Sequence, residues 1–108
     1  MTSKDCMKII IESHNIEVTN AIEEHVELCV IKLEHLNQKA VEARVHIERD
    51  HVGQVLKKYK CSMHIILKGT DIYAEDREKD LYHAIDLTTR KIQQQLRKQH
   101  SKKIKLKR

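Results

Sequence analysis

The spacing of apolar residues changes along the chain, and the order of these changes constrains the fold more than any other feature. Between 22 and 36 the apolar residues recur every three or four positions, the repeat of a helix with one buried side. Between 41 and 74 they mostly recur at every second position, as in strands with one solvated face. The helical repeat returns from 81 to 96. These blocks predict a mixed fold in which the strands lie between two helices in the sequence.

The boundaries of the elements follow from the flanking residues. The patterns predict strands over 7–12, 41–47, 59–67 and 71–75, and helices over about 20–36 and 81–99. Thr19 is a candidate N-cap of the first helix and Asp76 of the second. Polar segments at 48–58 and 68–70 are predicted to be hairpin turns. The order β-α-β-β-β-α indicates an α+β two-layer sandwich: a four-stranded sheet with both helices on one face and its first two strands parallel.

The length of 108 residues suits one domain, predicted over 1–99 and followed by a basic extension at 100–108. Because the apolar stripe ends at about Gln99, this extension is expected to be frayed or disordered. The absence of proline, with only two glycines, favours long uninterrupted elements. No apolar run approaches the roughly 20 residues of a membrane span, and the first residues lack the apolar core of a signal peptide. A cytoplasmic location is therefore expected. Cys6, Cys29 and Cys61 are expected to be free thiols buried as small apolar groups.

Positive charge is concentrated at the C-terminal end. Residues 90–108 contain nine Lys or Arg and no acid, whereas 1–89 contain 12 basic and 16 acidic residues. Helical spacing places Arg90 with Arg97, and Lys91 with Lys98, on adjoining sides of the second helix. Such a cationic strip indicates a polyanionic partner, first of all nucleic acid. The alternative is a solvating tail whose charges only complement the helix dipole.

Catalytic and metal-binding patterns are not evident. The eight histidines are scattered over both predicted helices, the strands and the loops. His46 and His64 are candidate neighbours on the open face of adjacent strands, but no paired cysteines or HExxH motif accompany them. No glycine-rich phosphate loop or nucleophile motif is present. We therefore expect no enzymatic activity, no metal and no cofactor.

Several segments resemble the short ribosome hibernation promoting factors and the related ribosome-associated translation inhibitors. The similar segments are Glu17-Val-Thr-Asn-Ala-Ile22, Lys32-Leu-Glu34, Lys91-Ile92, Gln95-Leu96 and, most specifically, Asp80-Leu-Tyr-His-Ala-Ile-Asp86. The resemblance extends over roughly residues 7–103. It implies the same β-α-β-β-β-α fold, similar in shape to double-stranded-RNA-binding domains.

The resemblance also implies a function. Such factors bind the small ribosomal subunit in the channel for mRNA and tRNA, block translation by occupancy, and favour inactive ribosome dimers in stationary phase together with a second small factor. The basic end at Arg108 fits the hibernation branch better than the acidic-tailed inhibitor branch, and the chain resembles members that lack a further dimerisation domain. No membrane partner is implied, and the free protein is expected to be a monomer.

The RNA-binding residues implied by the resemblance lie on both helices. Lys32, Lys91 and Lys98 match basic family positions, Lys102 matches more loosely, and Tyr82 matches a family tyrosine expected to pack at the helix–sheet edge. Arg90, Arg97 and Lys103 are added because of their charge. The chain departs from the family where Glu23, Cys29 and Gln94 replace basic residues. These departures put the contribution of the acidic first helix in doubt.

Three other functions stay open from the sequence. A modulator of an alternative sigma factor would use a protein-binding surface, for which the open sheet face with Ile10, Ile66 and Tyr73 is the candidate. A general duplex-RNA or DNA binder would bind naked duplex as well as it binds a ribosomal subunit. An enzyme with a histidine metal site would carry stoichiometric metal.

Overall fold

The structure is a computed structural model that describes residues 8–36, 40–50, 58–67 and 71–106, with side chains at 8–33, 41–50, 58–67 and 71–98. Its elements, in chain order, are the strand β1 (Lys8–His14), the helix α1 (Asn20–Leu36), the strands β2 (Ala40–Arg49), β3 (Tyr59–Leu67) and β4 (Asp71–Glu78), and the helix α2 (Leu81–Leu106). The predicted order is confirmed. Cys6 and most of the two predicted turns lie outside the described residues.

The four strands form one sheet in the order β1-β2-β3-β4. β1 pairs with β2 in parallel, and the other two pairs are antiparallel, as predicted. One row across the sheet joins Ile11 to Val45, Val45 to Met63, and Met63 to Ala74. Side chains of such a row point to the same face because strand residues alternate. This face carries both helices.

The core lies between the sheet and the helices and is almost entirely aliphatic. Its most enclosed members, all with less than 2% exposure, include Val26, Leu33, Ile47, Met63 and Ile92. Burying a side chain of this kind contributes about 1.5–3 kcal/mol, so the apolar repeats supply the main stabilisation of the fold. Thr88 and Thr89 of α2 are also buried here, and each hydroxyl donates a 2.8 Å hydrogen bond to the backbone carbonyl four residues earlier.

The starts of the two helices differ in how well the sequence predicts them. The Thr19 hydroxyl accepts a hydrogen bond from the Ile22 backbone N–H at 3.2 Å, so the predicted cap of α1 is confirmed. The predicted cap of α2 is wrong. Asp76 lies in β4, which extends to Glu78, and Asp80 instead accepts from the His83 N–H at 3.1 Å. Asp76 and Glu78 continue the alternation of β4 with polar residues, which a search for apolar periodicity misses.

The backbone of α2 is helical to Leu106, although the segment after 99 was expected to be frayed or disordered. This segment contains no glycine or proline, so nothing in its sequence breaks a helix. The helix therefore crosses the expected boundary between domain and basic extension without interruption.

Candidate nucleic-acid interface

Three cations lie on the outer side of α2, away from the core. Arg90, Arg97 and Lys98 are exposed, whereas Ile92 and Leu96 between them are buried. Within the described residues none of the three cations forms a salt bridge. Arg90 and Arg97 are two turns apart, about 10 Å along the helix axis. We call these three side chains the α2 cationic strip. They can meet anionic groups without first giving up an internal partner.

Lys91 differs from these three because it is tied to the edge of the sheet. Its ammonium donates a 3.0 Å hydrogen bond to the Glu75 carbonyl and lies 3.2 Å from the Asp76 carboxylate. One turn later, Gln95 donates to the Tyr73 carbonyl at 2.9 Å. Both carbonyls belong to β4, so these two side chains satisfy backbone acceptors of an edge strand. The sequence placed Lys91 with Lys98 on one side of the helix, but only Lys98 lacks an ionic partner there.

The two long sides of α1 carry opposite charge. His25 contacts α2, and Lys32, seven residues later, lies on the same side of α1 and is exposed. Lys32 also lowers the pKa of Cys29 by its charge, although burial raises that pKa overall. Glu23 and Glu27 are exposed and point away from α2 by helical spacing. The acidic side of α1 is therefore separate from the side that carries Lys32 and faces α2.

Tyr82 packs between the helices and not at the helix–sheet edge, where it was expected. Its ring meets the His25 ring edge-on, with centroids 5.1 Å apart and planes at 89°. Tyr82 is 38% exposed, so the tyrosine keeps an accessible surface beside α1. Edge-on pairs of this kind contribute about 0.5–1.5 kcal/mol beyond the burial of the rings. Its first role is therefore to join the two helices.

Next to this ring pair, three polar side chains converge. His25 Nε2 lies 2.7 Å from Asp86 Oδ1, and the Cys29 thiol donates to the same oxygen over 3.7 Å. Burial raises the pKa of the Cys29 thiol, and Cys29 is 4% exposed. Among the described histidines, cysteines and acids, these are the three that come close enough together to share a metal ion. The sequence did not reveal this group because Asp86 lies on the other helix.

Several charged side chains of the open sheet face pair with one another. His46 lies 3.4 Å from Glu48 and His64 lies 3.0 Å from Asp71, so each histidine has its own acidic partner, although both line the same hollow. Tyr73 donates a 2.7 Å hydrogen bond to Glu75, and this bond is the first cause of a lowered Glu75 pKa. A shallow hollow of about 390 Å³ lies over Ser62, with Arg44 and Lys60 at its rim.

Lys102 and Lys103 lie on the α2 backbone, and their side chains fall outside the described part of the structure. Lys32, Arg90, Arg97 and Lys98 are exposed on the helical layer, where they were expected to be accessible. In the described part of the chain, no helix is both long and apolar enough to cross a membrane.

Comparison with known proteins places this arrangement in a family. The family described as Sigma 54 modulation protein / S30EA ribosomal protein matches residues 9–104. The chain belongs to this family. The match takes in both helices and the whole sheet, apart from the first residue of β1 and the last two of α2. The sequence resemblance is thereby confirmed at the level of the family.

Relatives in this family carry ribosomal names. Ribosome hibernation promotion factors from Picosynechococcus and Bacillus subtilis are 34% identical over 97 residues and 35% identical over 96 residues. Each match takes in 89% of this chain and 50% of the relative, so the chain spans about half the length of these relatives. A ribosome hibernation promoting factor from Azotobacter vinelandii is 29% identical over 98 residues, covering 91% of this chain and 87% of the relative.

Solved structures share the fold at lower identity. A ribosomal subunit interface protein from Coxiella burnetii superposes with a TM-score of 0.77 at 20% identity, covering 88% of this chain and 99% of that one. The N-terminal domain of Protein Y from Thermus thermophilus gives 0.72 at 24% identity, covering 85% and 98%. These structures share the two-layer fold of this chain.

Proposed function

We propose that this protein is a ribosome hibernation factor that binds the rRNA of the small ribosomal subunit in the channel used by mRNA and tRNA. It blocks translation by occupying that channel, and no catalytic step is involved. The observation that carries the proposal is the α2 cationic strip, three exposed cations without an ionic partner in the described chain. Membership of the S30EA family and the hibernation names of its relatives support it.

The charge distribution indicates how the protein would hold RNA. Arg90, Arg97 and Lys98 repel one another in the free protein, and phosphates relieve that repulsion while releasing condensed counterions. Contacts with phosphates position a protein on nucleic acid but carry no sequence information. Specificity for one place on the subunit therefore comes from the shape of the folded RNA, as in other proteins that bind double-stranded RNA.

The remaining predicted RNA-binding residues take different parts in this proposal. Lys32 extends the positive surface toward α1. Lys91 attracts RNA less than the other cations do, because its ammonium is already bound by the Asp76 carboxylate and the Glu75 carbonyl. Tyr82 presents the exposed part of its ring beside α1. Lys102 and Lys103, in the basic extension 100–108, continue the interface along α2.

The proposal includes a second stage on the ribosome. The bound factor, a monomer in the cytoplasm when free, favours inactive ribosome dimers in stationary phase, with a second small factor on the same ribosome. Sucrose-gradient profiles of ribosomes mixed with the protein test this stage. An increase in the dimer peak is expected, and a profile without that increase restricts the function to inhibition by occupancy.

Cosedimentation with separated ribosomal subunits, across a salt series, tests the first stage. Saturable one-to-one binding to the small subunit, weakening steeply with salt, is expected. Equal binding to both subunits and to naked duplex RNA would contradict the proposal and leave a general duplex binder. Prior saturation of the subunit with mRNA and tRNA should reduce binding, because the ligands share one channel.

A second candidate function has one observation in its favour. The family description includes modulation of sigma 54, and Tyr73 on β4 is 52% exposed on the open sheet face, which also carries Ile66 on the neighbouring strand and Ile10 on the opposite edge strand. That face could receive a protein partner, but several of its charges are internally paired and its apolar area is small. Substituting Tyr73→Ser separates the candidates: ribosome binding stays unchanged if the helical layer binds RNA, whereas binding to a sigma factor would be lost.

A further inference from the structure

The group formed by His25, Cys29 and Asp86 has the composition of a metal site. One imidazole nitrogen, the thiol sulfur and one carboxylate oxygen lie within 4.8 Å of one another. His25 and Cys29 are one turn apart on α1, so they share a side of that helix. Asp86 faces them from the second turn of α2. Two rigid helices thus bring together three different ligand types.

We propose that these three side chains bind a thiophilic divalent cation, with Zn²⁺ as the best fit, and that the bound ion clamps α1 to α2. Zinc takes nitrogen, sulfur and oxygen ligands at about 2.0–2.3 Å in a tetrahedron, which sets ligand atoms about 3.3–3.8 Å apart. The Cys29 sulfur and the Asp86 oxygen are already 3.7 Å apart. His25 Nε2 lies 2.7 Å from the same oxygen. Zinc binding requires this distance to increase by less than about 1 Å.

The surroundings support these ligands. The Tyr82 ring lies edge-on against His25 and fixes the orientation of the imidazole. The Asp86 side chain is 51% exposed, which gives an ion a path from solvent and leaves a fourth position for water. Three protein ligands plus water form a common zinc arrangement.

Binding would also change the charge between the helices. The ligand forms that zinc takes are the thiolate, the carboxylate and the neutral imidazole. Metal binding adds two positive charges and releases the thiol proton to solvent, which leaves the group neutral. The loss of a negative charge beside Lys32 would favour a polyanion. This last consequence rests on the proposed function, whereas the metal site itself does not.

Spectroscopic titration of the metal-free full chain with Co²⁺ tests the site without any ribosome. One equivalent should produce thiolate-to-metal charge transfer and tetrahedral d–d bands, and Zn²⁺ should displace the cobalt. The absence of a thiolate charge-transfer band would overturn the proposal. Because RNA plays no part in this measurement, its failure leaves the RNA-binding proposal untouched.

Substitutions assign the ligands. Cys29→Ser, His25→Gln and Asp86→Asn should each weaken Zn²⁺ binding by at least about tenfold, the lower limit seen when even outer partners of a metal ligand are removed. Matched controls are His83→Gln on the exposed side of α2 and Cys6→Ser near the N-terminus, which should leave the cobalt spectrum unchanged. Retention of the spectrum in Cys29→Ser, or its loss in Cys6→Ser, would refute the assignment. If Cys29→Ser fails to fold, the more exposed Asp86→Asn decides.

Discussion

Neutralising the α2 cationic strip should change the salt dependence of ribosome binding by a calculable amount. The triple substitution Arg90→Gln, Arg97→Gln and Lys98→Gln removes three exposed cations that have no ionic partner in the described structure. Each phosphate contact contributes about 0.7–0.9 to the slope of log affinity against log salt concentration. The triple variant should therefore lose about 2–3 from that slope.

The corresponding change in affinity is large enough to measure. Between about 50 and about 200 mM salt, three contacts account for a roughly 20- to 40-fold change in affinity. When the salt concentration is raised over this range, the fold-loss of affinity should be roughly 20 to 40 times smaller for the variant than for the original protein. The variant should also bind more weakly at low salt. The assay is cosedimentation with the small subunit at several salt concentrations. Circular dichroism before binding verifies the fold, which should persist because all three side chains point to solvent.

A matched control separates local contacts from net charge. Substituting glutamine for Arg44, Lys60 and Arg77 removes the same three positive charges from the open sheet face, where each is paired with a carboxylate. This control should keep the salt slope of the original protein. An equal loss of slope in both triple variants would refute the proposed interface, because binding would then depend on overall charge alone.

Three further predictions follow from individual contacts. Lys91→Gln should reduce the salt slope by clearly less than Lys98→Gln does, while lowering the free energy of unfolding by up to about 1 kcal/mol through loss of the Asp76 ion pair; equal slope changes would contradict this. Ile92→Ala should cost about 2–5 kcal/mol in urea unfolding because Ile92 is 0% exposed, and a loss below about 1 kcal/mol would show that the site collapses around the smaller side chain. Burial raises the pKa of Cys61 from 9.0 to about 12, so the neutral thiol contributes its full stabilisation below pH 9, and this stabilisation is lost as the pH rises from 9 toward 12. The free energy of unfolding should therefore fall less over this pH range in Cys61→Ala than in the original protein. Identical pH profiles of unfolding for the two proteins would contradict this reasoning.

Much of the fold could be predicted because apolar periodicity reports which residues are buried. The bounds predicted for β3, 59–67, are those of the structure, since alternation is strong there. β4 and α2 were predicted too short because Asp76, Glu78 and the residues after 99 are polar. Backbone pairing and helix propensity extend these elements, and neither depends on apolar side chains.

The candidate site was less predictable because its contacts join residues distant in sequence. Helical spacing correctly placed Arg90 and Arg97 toward solvent. It could not show that Lys91 would meet Asp76 of β4, because that contact depends on how α2 lies over the sheet edge. It also could not show that His25 would meet Tyr82 and Asp86 of the other helix. One available signal was overlooked: Asp76 has the same parity as Ile72 and Ala74, which face the helices.

An electron cryomicroscopy map of the small ribosomal subunit saturated with this protein tests the central claim most directly. The proposal predicts density for one copy in the mRNA and tRNA channel, with Arg90, Arg97 and Lys98 of α2 against rRNA phosphates and the open sheet face directed away from them. Density elsewhere on the subunit, or in the channel with the sheet face against the RNA, would contradict it.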